Sequence, residues 1–153
     1  MKFAESMKST YFTKYAVFKG RASESEYVNC FLFQLALTSL LLYLPQYQLE
    51  LTPLISIVVG IITFIPGMAL TSRRLHDTGH SYSVVLKPLN YLGLFFITLK
   101  LATLLPVTWF IFFVLVVSFG SLIYGGYLTI NLYKKLFSKG QLEANKYGDP
   151  PIQ

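Results

Sequence analysis

Long apolar runs broken by short polar segments dominate the pattern of this chain. The first run covers residues 28–44 and stops at Pro45. The second covers residues 51–70, with Pro53 where a helix tolerates proline in its first turn. Pro66-Gly67 near its far end predicts a kink, because proline removes one bond of the helical ladder. The third covers residues 84–105 and carries Lys87, Pro88 and Asn90 early and Lys100 late. Both lysines stand near its ends, where a long stem can lie in apolar surroundings while the ammonium reaches an interface. It is read as a span, with a re-entrant or surface segment as the alternative. Pro106 opens the fourth run, residues 106–130. Runs of this length match the hydrocarbon thickness of a bilayer. The expected fold is therefore all-α, an integral membrane bundle of four transmembrane helices with an N-terminal amphipathic or polar segment.

The flanks refine this picture. Residues 1–27 form a polar tail in which Tyr11, Phe12, Tyr15 and Phe18 fall at helical spacings. They predict a short amphipathic helix on the membrane surface, or else a loosely ordered tail. Ser23 and Glu26 have the spacing of a capping box, which places Ser23 as the N-cap of the first span. Two small-xxx-small pairs, Ser56 with Gly60 and Ser121 with Gly125, predict close helix packing. Asn90, Ser118 and Thr129 are expected to hydrogen-bond between helices. Trp109, Tyr124 and Tyr127 suit the interfacial belts of the fourth span. Residues 131–153 follow as a second polar tail, opening with Lys134, Lys135 and Lys139.

Composition agrees with a membrane protein: 54% of the 153 residues are hydrophobic and the mean hydropathy is +0.53. The net charge of +6 would suit a nucleic-acid partner, but the basic residues sit at the edges of apolar runs. They form no separate basic domain, so no nucleic-acid partner is expected. Counting Lys and Arg orients the chain. The two tails and the segment at residues 71–83 are basic, whereas residues 45–50 carry no Lys or Arg. Four spans put the three basic segments on one side, which predicts cytoplasmic termini. No cleavable signal peptide is expected, because a long charged segment precedes the first apolar run. Cys30, the single cysteine, is expected to be a small buried side chain. No cofactor or metal is expected.

Two polar constellations flank the first two spans. One contains Gly20, Arg21, Ala22, Ser23, Ser25, Glu26 and Tyr27; the other runs Arg73, Arg74, Leu75, His76, Asp77, Thr78, Gly79. With the ending at residues 145–151, these motifs resemble small bacterial inner-membrane proteins of the YhaH/YhaI type, a domain family of unknown function. That family carries Gly-Arg-x-(Ser/Asn)-x-x-Glu-(Tyr/Phe) before its first span and Arg-Arg-Leu-His-Asp-x-(Gly/Asn) after its second. Many members end in Asn-x-Tyr-Gly-x-(Asp/Pro)-Pro. The likeness extends from about Tyr11 to Pro151. It departs at Glu24 and His80, where a basic residue is usual, at Val28, where Trp is usual, and at Tyr82-Ser83, where Gly-Trp is common. The resemblance implies a multi-pass protein of the bacterial inner membrane and brings no reaction with it.

Chemistry then rests on the charged residues. In the plainest reading, Arg73 and Asp77 pair as i,i+4 neighbours, Gly79 stops the helix, and the arginines mark the inner leaflet. The sharper reading joins both segments into one cluster: Arg21, Glu26, Arg73, Arg74, His76 and Asp77. Arg21 is expected to meet Asp77, and Glu26 to meet Arg73 or Arg74. Such a cluster would hold an anionic ligand, a lipid headgroup or a protein partner. Membrane lipids, including anionic ones, and a second copy or another membrane protein are the expected partners. A membrane enzyme acting on a phosphorylated or lipid substrate is one alternative, with His76 as base. Adjacent helical residues diverge by about 100°, so Asp77 would not readily orient His76. A metal held by His76, Asp77 and His80 would need the helix to persist through Gly79. The other alternative is an accessory subunit of a channel or transporter.

Overall fold

A computed structural model describes residues 2–43, 52–104 and 108–151, with the backbone alone described for residue 52 and for residues 108–110. The loop at residues 45–50, the proline at 106 and the Trp109 side chain, all given roles above, lie outside the description. Among the described residues the chain is helical and has no strand. The helices are α1 (Phe3–Lys8), α2 (Glu24–Tyr43), α3 (Thr52–Asp77), α4 (Ser83–Leu104) and α5 (Thr108–Leu136), with a π-helical turn, Ser9–Thr13, after α1. Helices α2 to α5 are each long and apolar enough to cross a membrane. The chain is a multi-pass membrane protein.

Burial confirms that apolar surroundings replace water. Within the helices, many Leu, Ile and Phe side chains face outward, among them Ile57, Ile61, Phe64, Phe96 and Ile123. The buried residues include Ser6, Thr10, Arg21, Glu26, Arg73, Arg74, Asp77 and Ser118. A soluble protein would invert this arrangement. In lipid, outward apolar side chains cost nothing and polar groups must find partners inside.

The chain divides into two compact units. One comprises residues 1–81 with residues 136–153, and the other residues 82–135. In the second unit, α4 and α5 meet through small side chains. Ser118 is fully buried, and its hydroxyl donates to Thr98 Oγ1 at 2.7 Å. A Cβ added at Gly125 would stand 3.1 Å from Tyr91 Cβ, so the predicted Ser121/Gly125 pair does mark a close approach. Thr129 bonds back to Gly125 O in its own helix, not across helices.

In the first unit, the N-terminal segment packs on α2 through its small polar residues. Ser6 and Thr10, four apart, are fully buried. Asn29 Nδ2 donates to Ser6 Oγ at 3.0 Å, and Cys30 Sγ contacts Thr10 Oγ1 at 3.2 Å. The expected shared aromatic face does not form. Phe12 is 81% exposed, Tyr11 stacks edge-on against Phe33, and Tyr15 donates to Ile62 O at 2.8 Å. Close approach of two helices selects small residues, which leaves the bulky rings to the periphery. Gly60 likewise departs from expectation: among the described residues no neighbouring element comes within 4 Å of its Cβ position, and it lines a cavity of about 320 Å³.

Helix α3 runs seven residues beyond its apolar run, to Asp77. Its end is a Schellman turn: His80 N–H bonds Leu75 O at 2.7 Å and Gly79 N–H bonds His76 O at 3.1 Å. Gly79 supplies the φ of 78° that this turn requires. The extension carries Arg73, Arg74 and Asp77 into the interior of the first unit.

Candidate functional site

The site is built at the start of α2 and the end of α3. Ser23 caps α2, its Oγ accepting the Glu26 N–H at 3.2 Å, as its spacing predicted. The backbone of residues 18–22 then lies along α3. Ala22 N–H donates to Arg73 O at 3.1 Å, and Ser72 Oγ donates to Phe18 O at 3.2 Å. These backbone contacts set the register that brings the two charged segments together.

Two ion pairs follow. Arg21 Nε donates to Asp77 Oδ1 at 2.9 Å, with Nη2 at 2.8 Å from the same oxygen. Arg73 Nη1 donates to Glu26 Oε1 at 3.1 Å. Both are the pairings expected from the charge pattern. The local Arg73–Asp77 pair of the plainer reading is replaced, because Asp77 Oδ2 takes Arg74 one position nearer. Glu26 Oε1 also accepts from Ser9 and Thr10, at 3.0 and 3.2 Å, which ties the N-terminal turn into the cluster. The side chains of Arg21, Arg73, Arg74, Glu26 and Asp77 are each at most 4% exposed.

The third participant is the C-terminal tail. Arg21 Nη1 donates to Glu143 O at 2.7 Å and Gly148 O at 3.3 Å, while Nη2 donates to Gln141 O. Arg74 Nε donates to Leu136 O at 2.9 Å, Nη1 to Ala22 O at 3.3 Å, and Nη2 to Ser138 O. The planar guanidinium presents five donors in a fixed fork, which suits several carbonyls at once. Asp77 O in turn accepts from Gln141 N–H at 2.9 Å. Gly140 lies so close that a Cβ there would overlap the Asp77 carboxylate.

Arg73 differs from its neighbours. Its Nε and Nη2 are buried and have no hydrogen-bond partner among the described residues. Buried donors in native proteins are nearly always satisfied, so this pair is an unmet demand for an acceptor.

His76 sits at the edge of the cluster. Its Nδ1 lies 3.1 Å from Gly20 O, and because a carbonyl only accepts, Nδ1 carries the proton. Its ring stacks on Tyr147 at 3.8 Å and 8°, and its carbonyl accepts from Asn145 Nδ2 at 3.0 Å. Asp77 is committed to two arginines and does not orient His76. His80 lies past the Gly79 turn, with Nδ1 3.3 Å from Thr78 Oγ1. No group of three His, Cys, Asp or Glu placed to hold a metal occurs among the described residues.

A groove of about 870 Å³ borders the cluster, lined by residues including Ser23, Glu24, Arg74, Asp77, Lys139 and Gly140. Glu24 is half exposed there, 4.0 Å from Arg74.

A family model described as a protein of unknown function, DUF805, matches residues 15–149. The chain belongs to the DUF805 family. The DUF805 match spans all three segments of the cluster, the α2 start, the α3 end and the tail through Gly148. It carries no activity with it. No curated protein and no solved structure matches the chain.

Sequence reasoning missed three contributors: Ser9 and Thr10 on Glu26, the tail carbonyls on Arg21 and Arg74, and Tyr147 on His76. Only the last had a readable signal, since Asn145, Tyr147 and Gly148 belong to the ending shared with the resembled proteins.

Proposed function

We propose that the chain is a non-enzymatic protein of the bacterial inner membrane, with both termini in the cytoplasm, whose arginine/acid cluster receives the anionic group of a lipid headgroup. The orientation rests on the basic tails and the basic segment at residues 71–83. The bacterial inner membrane rests on the motif likeness to YhaH/YhaI-type proteins.

The observation behind the ligand is a charge imbalance. Three buried guanidiniums, Arg21, Arg73 and Arg74, face two buried carboxylates, Glu26 and Asp77. Glu24 offsets little of the excess, being half exposed and 4.0 Å away. An uncompensated buried charge is costly at low dielectric, and the unpartnered donors of Arg73 add to that cost. A phosphate oxygen would relieve both. The neighbouring groove, with Arg74 and Lys139 in its lining, opens onto the Arg74 side of the cluster at the end of two spans.

The test is native mass spectrometry of protein extracted from nanodiscs of phosphatidylglycerol mixed with phosphatidylcholine. Preferential retention of phosphatidylglycerol is expected, and Arg73→Gln should weaken it. Equal retention of the two lipids would leave the cluster as a purely structural knot.

A further inference from the structure

We propose that residues 138–148 are a displaceable internal occupant of the arginine cluster, filling with neutral carbonyls the donors that an anionic headgroup takes when the tail lifts. The proposal rests on the cluster being an anion site, and adds its regulation.

The occupancy is direct. Arg21 spends Nη1 on the carbonyls of Glu143 and Gly148 and shares Nη2 between Gln141 O and Asp77. Arg74 spends Nη2 on Ser138 O. These acceptors are uncharged. A carbonyl offers the guanidinium only a dipole, whereas a phosphate oxygen brings a full opposite charge and can engage two donors in parallel. Phosphate oxygens are therefore the better partners for the same N–H groups.

The manner in which the tail is held makes release feasible. No side chain of residues 138–150 is buried, and Leu142 is 80% exposed. Besides the arginine bonds, its attachment includes Gln141 N–H to Asp77 O at 2.9 Å, Asn145 Nδ2 to His76 O at 3.0 Å, and the stack of Tyr147 on His76 at 3.8 Å. Segments with little apolar burial sit at the low end of local stability. The root is anchored differently, since Leu136 is 2% exposed and Phe137 packs edge-on against Tyr27 and Phe31. Residues 145–148 form their own turn, with Asn145 and Gly148 bonded both ways through their backbones and Tyr147 N–H on Asn145 Oδ1 at 2.9 Å. The turn can thus lift as a unit about a fixed root.

Tethering gives the tail an effective concentration on the order of millimolar, so only a ligand concentrated at the membrane surface competes well. Anionic lipid in the facing leaflet meets that condition.

Two measurements on the full-length protein test the proposal. The first is hydrogen exchange of the Gln141, Asn145 and Gly148 amides in nanodiscs of rising phosphatidylglycerol content. These amides should lose protection as the lipid binds. The second compares wild type with Asn145→Ala/Tyr147→Ala, which loosens the tail and leaves every arginine in place. The variant should retain phosphatidylglycerol at least about fivefold more tightly, the equivalent of one hydrogen bond no longer competing. Lipid binding with unchanged tail protection, or equal affinity in the two proteins, overturns the displaceable tail while the anion site stands. No preference for phosphatidylglycerol in either protein overturns the anion site and the tail's role with it. Tail release by dissolved glycerol 3-phosphate as readily as by the lipid supports displacement and makes soluble phosphate the ligand. If the double variant fails to fold, the wild-type exchange titration decides alone.

Discussion

Replacing Asp77 with Asn removes the one negative charge shared by Arg21 and Arg74 and changes almost nothing in volume. The Asp77 side chain is 3% exposed and its two arginine partners are 0–1% exposed, so solvent screening is slight. An exposed ion pair contributes about 0.2–1 kcal/mol. Removing one partner of a buried pair costs about 3–5 kcal/mol, most of it the penalty of a stranded charge. Here two guanidiniums are stranded, which argues for the upper end. Both keep their bonds to carbonyls, and Asn Oδ1 still accepts one N–H, which argues for the lower. We expect a loss of about 3 kcal/mol, near the bottom of that range.

The assay is equilibrium unfolding in bicelles by steric trapping, with Glu5→Gln as control. The Glu5 side chain is exposed and accepts the Lys2 backbone N–H at 3.1 Å, so its replacement should stay within about 0.5 kcal/mol. A double-mutant cycle of Asp77→Asn with Arg21→Gln should give a coupling of at least about 1 kcal/mol, as networked charges do. A cost for Asp77→Asn below about 1 kcal/mol would mean that water reaches the pair and the buried-cluster argument is wrong.

Ser23→Ala should cost about 1 kcal/mol and raise hydrogen exchange over residues 24–27, since Ser23 Oγ accepts the Glu26 N–H at 3.2 Å; unchanged exchange would show that the cap carries no weight. Gly140→Ala forces a Cβ into the Asp77 carboxylate, which two arginines pin in place. It should cost about 1–3 kcal/mol or detach the tail, visible as lost protection at Gln141. Cysteine accessibility probes after Gln46 and after Gln153 should report opposite sides of the membrane, and labelling from the same side would refute the three spans between them.

The charge cluster was legible because each segment carries both signs. Arg21 with Glu26, and Arg73 and Arg74 with Asp77, can satisfy one another across the segments as well as within them once two helices lie side by side. That argument uses residue types alone, and the observed Arg21–Asp77 and Arg73–Glu26 pairs follow it. The choice of Arg74 over Arg73 as the local partner of Asp77 was not legible. Spacings of three and four are nearly equivalent on a helix, and the choice depends on Arg73 being drawn to Glu26. The aromatic spacing at residues 11–18 suggested one helical face at the membrane surface, or else a loosely ordered tail. The N-terminal helical structure ends at Thr13, so Tyr11, Phe12, Tyr15 and Phe18 do not share a helical face. Against a helix in lipid, Ser6 and Thr10 allow the closer approach, and the rings stay outside.

The tail contacts were illegible on principle. Gln141, Glu143, Gly148 and Ser138 meet the arginines through backbone carbonyls, which every residue possesses. A sequence can show where such a segment must turn, as Gly148 does with its φ of 122°, but not which cation its carbonyls serve. The arginines give the complementary clue. Lysine would mark the inner leaflet as well as arginine does. Only a planar fork of five donors can bridge Asp77 and several carbonyls at once, as Arg21 and Arg74 do. An arginine pair at a span's end, followed closely by an acid, is therefore a request for several acceptors as well as a topology signal. Among the described residues Arg73 has buried donors left over, and it sits beside the carboxylate that ties down the N-terminal turn. The unmet donors are thus concentrated where the N-terminal segment, α2 and α3 converge.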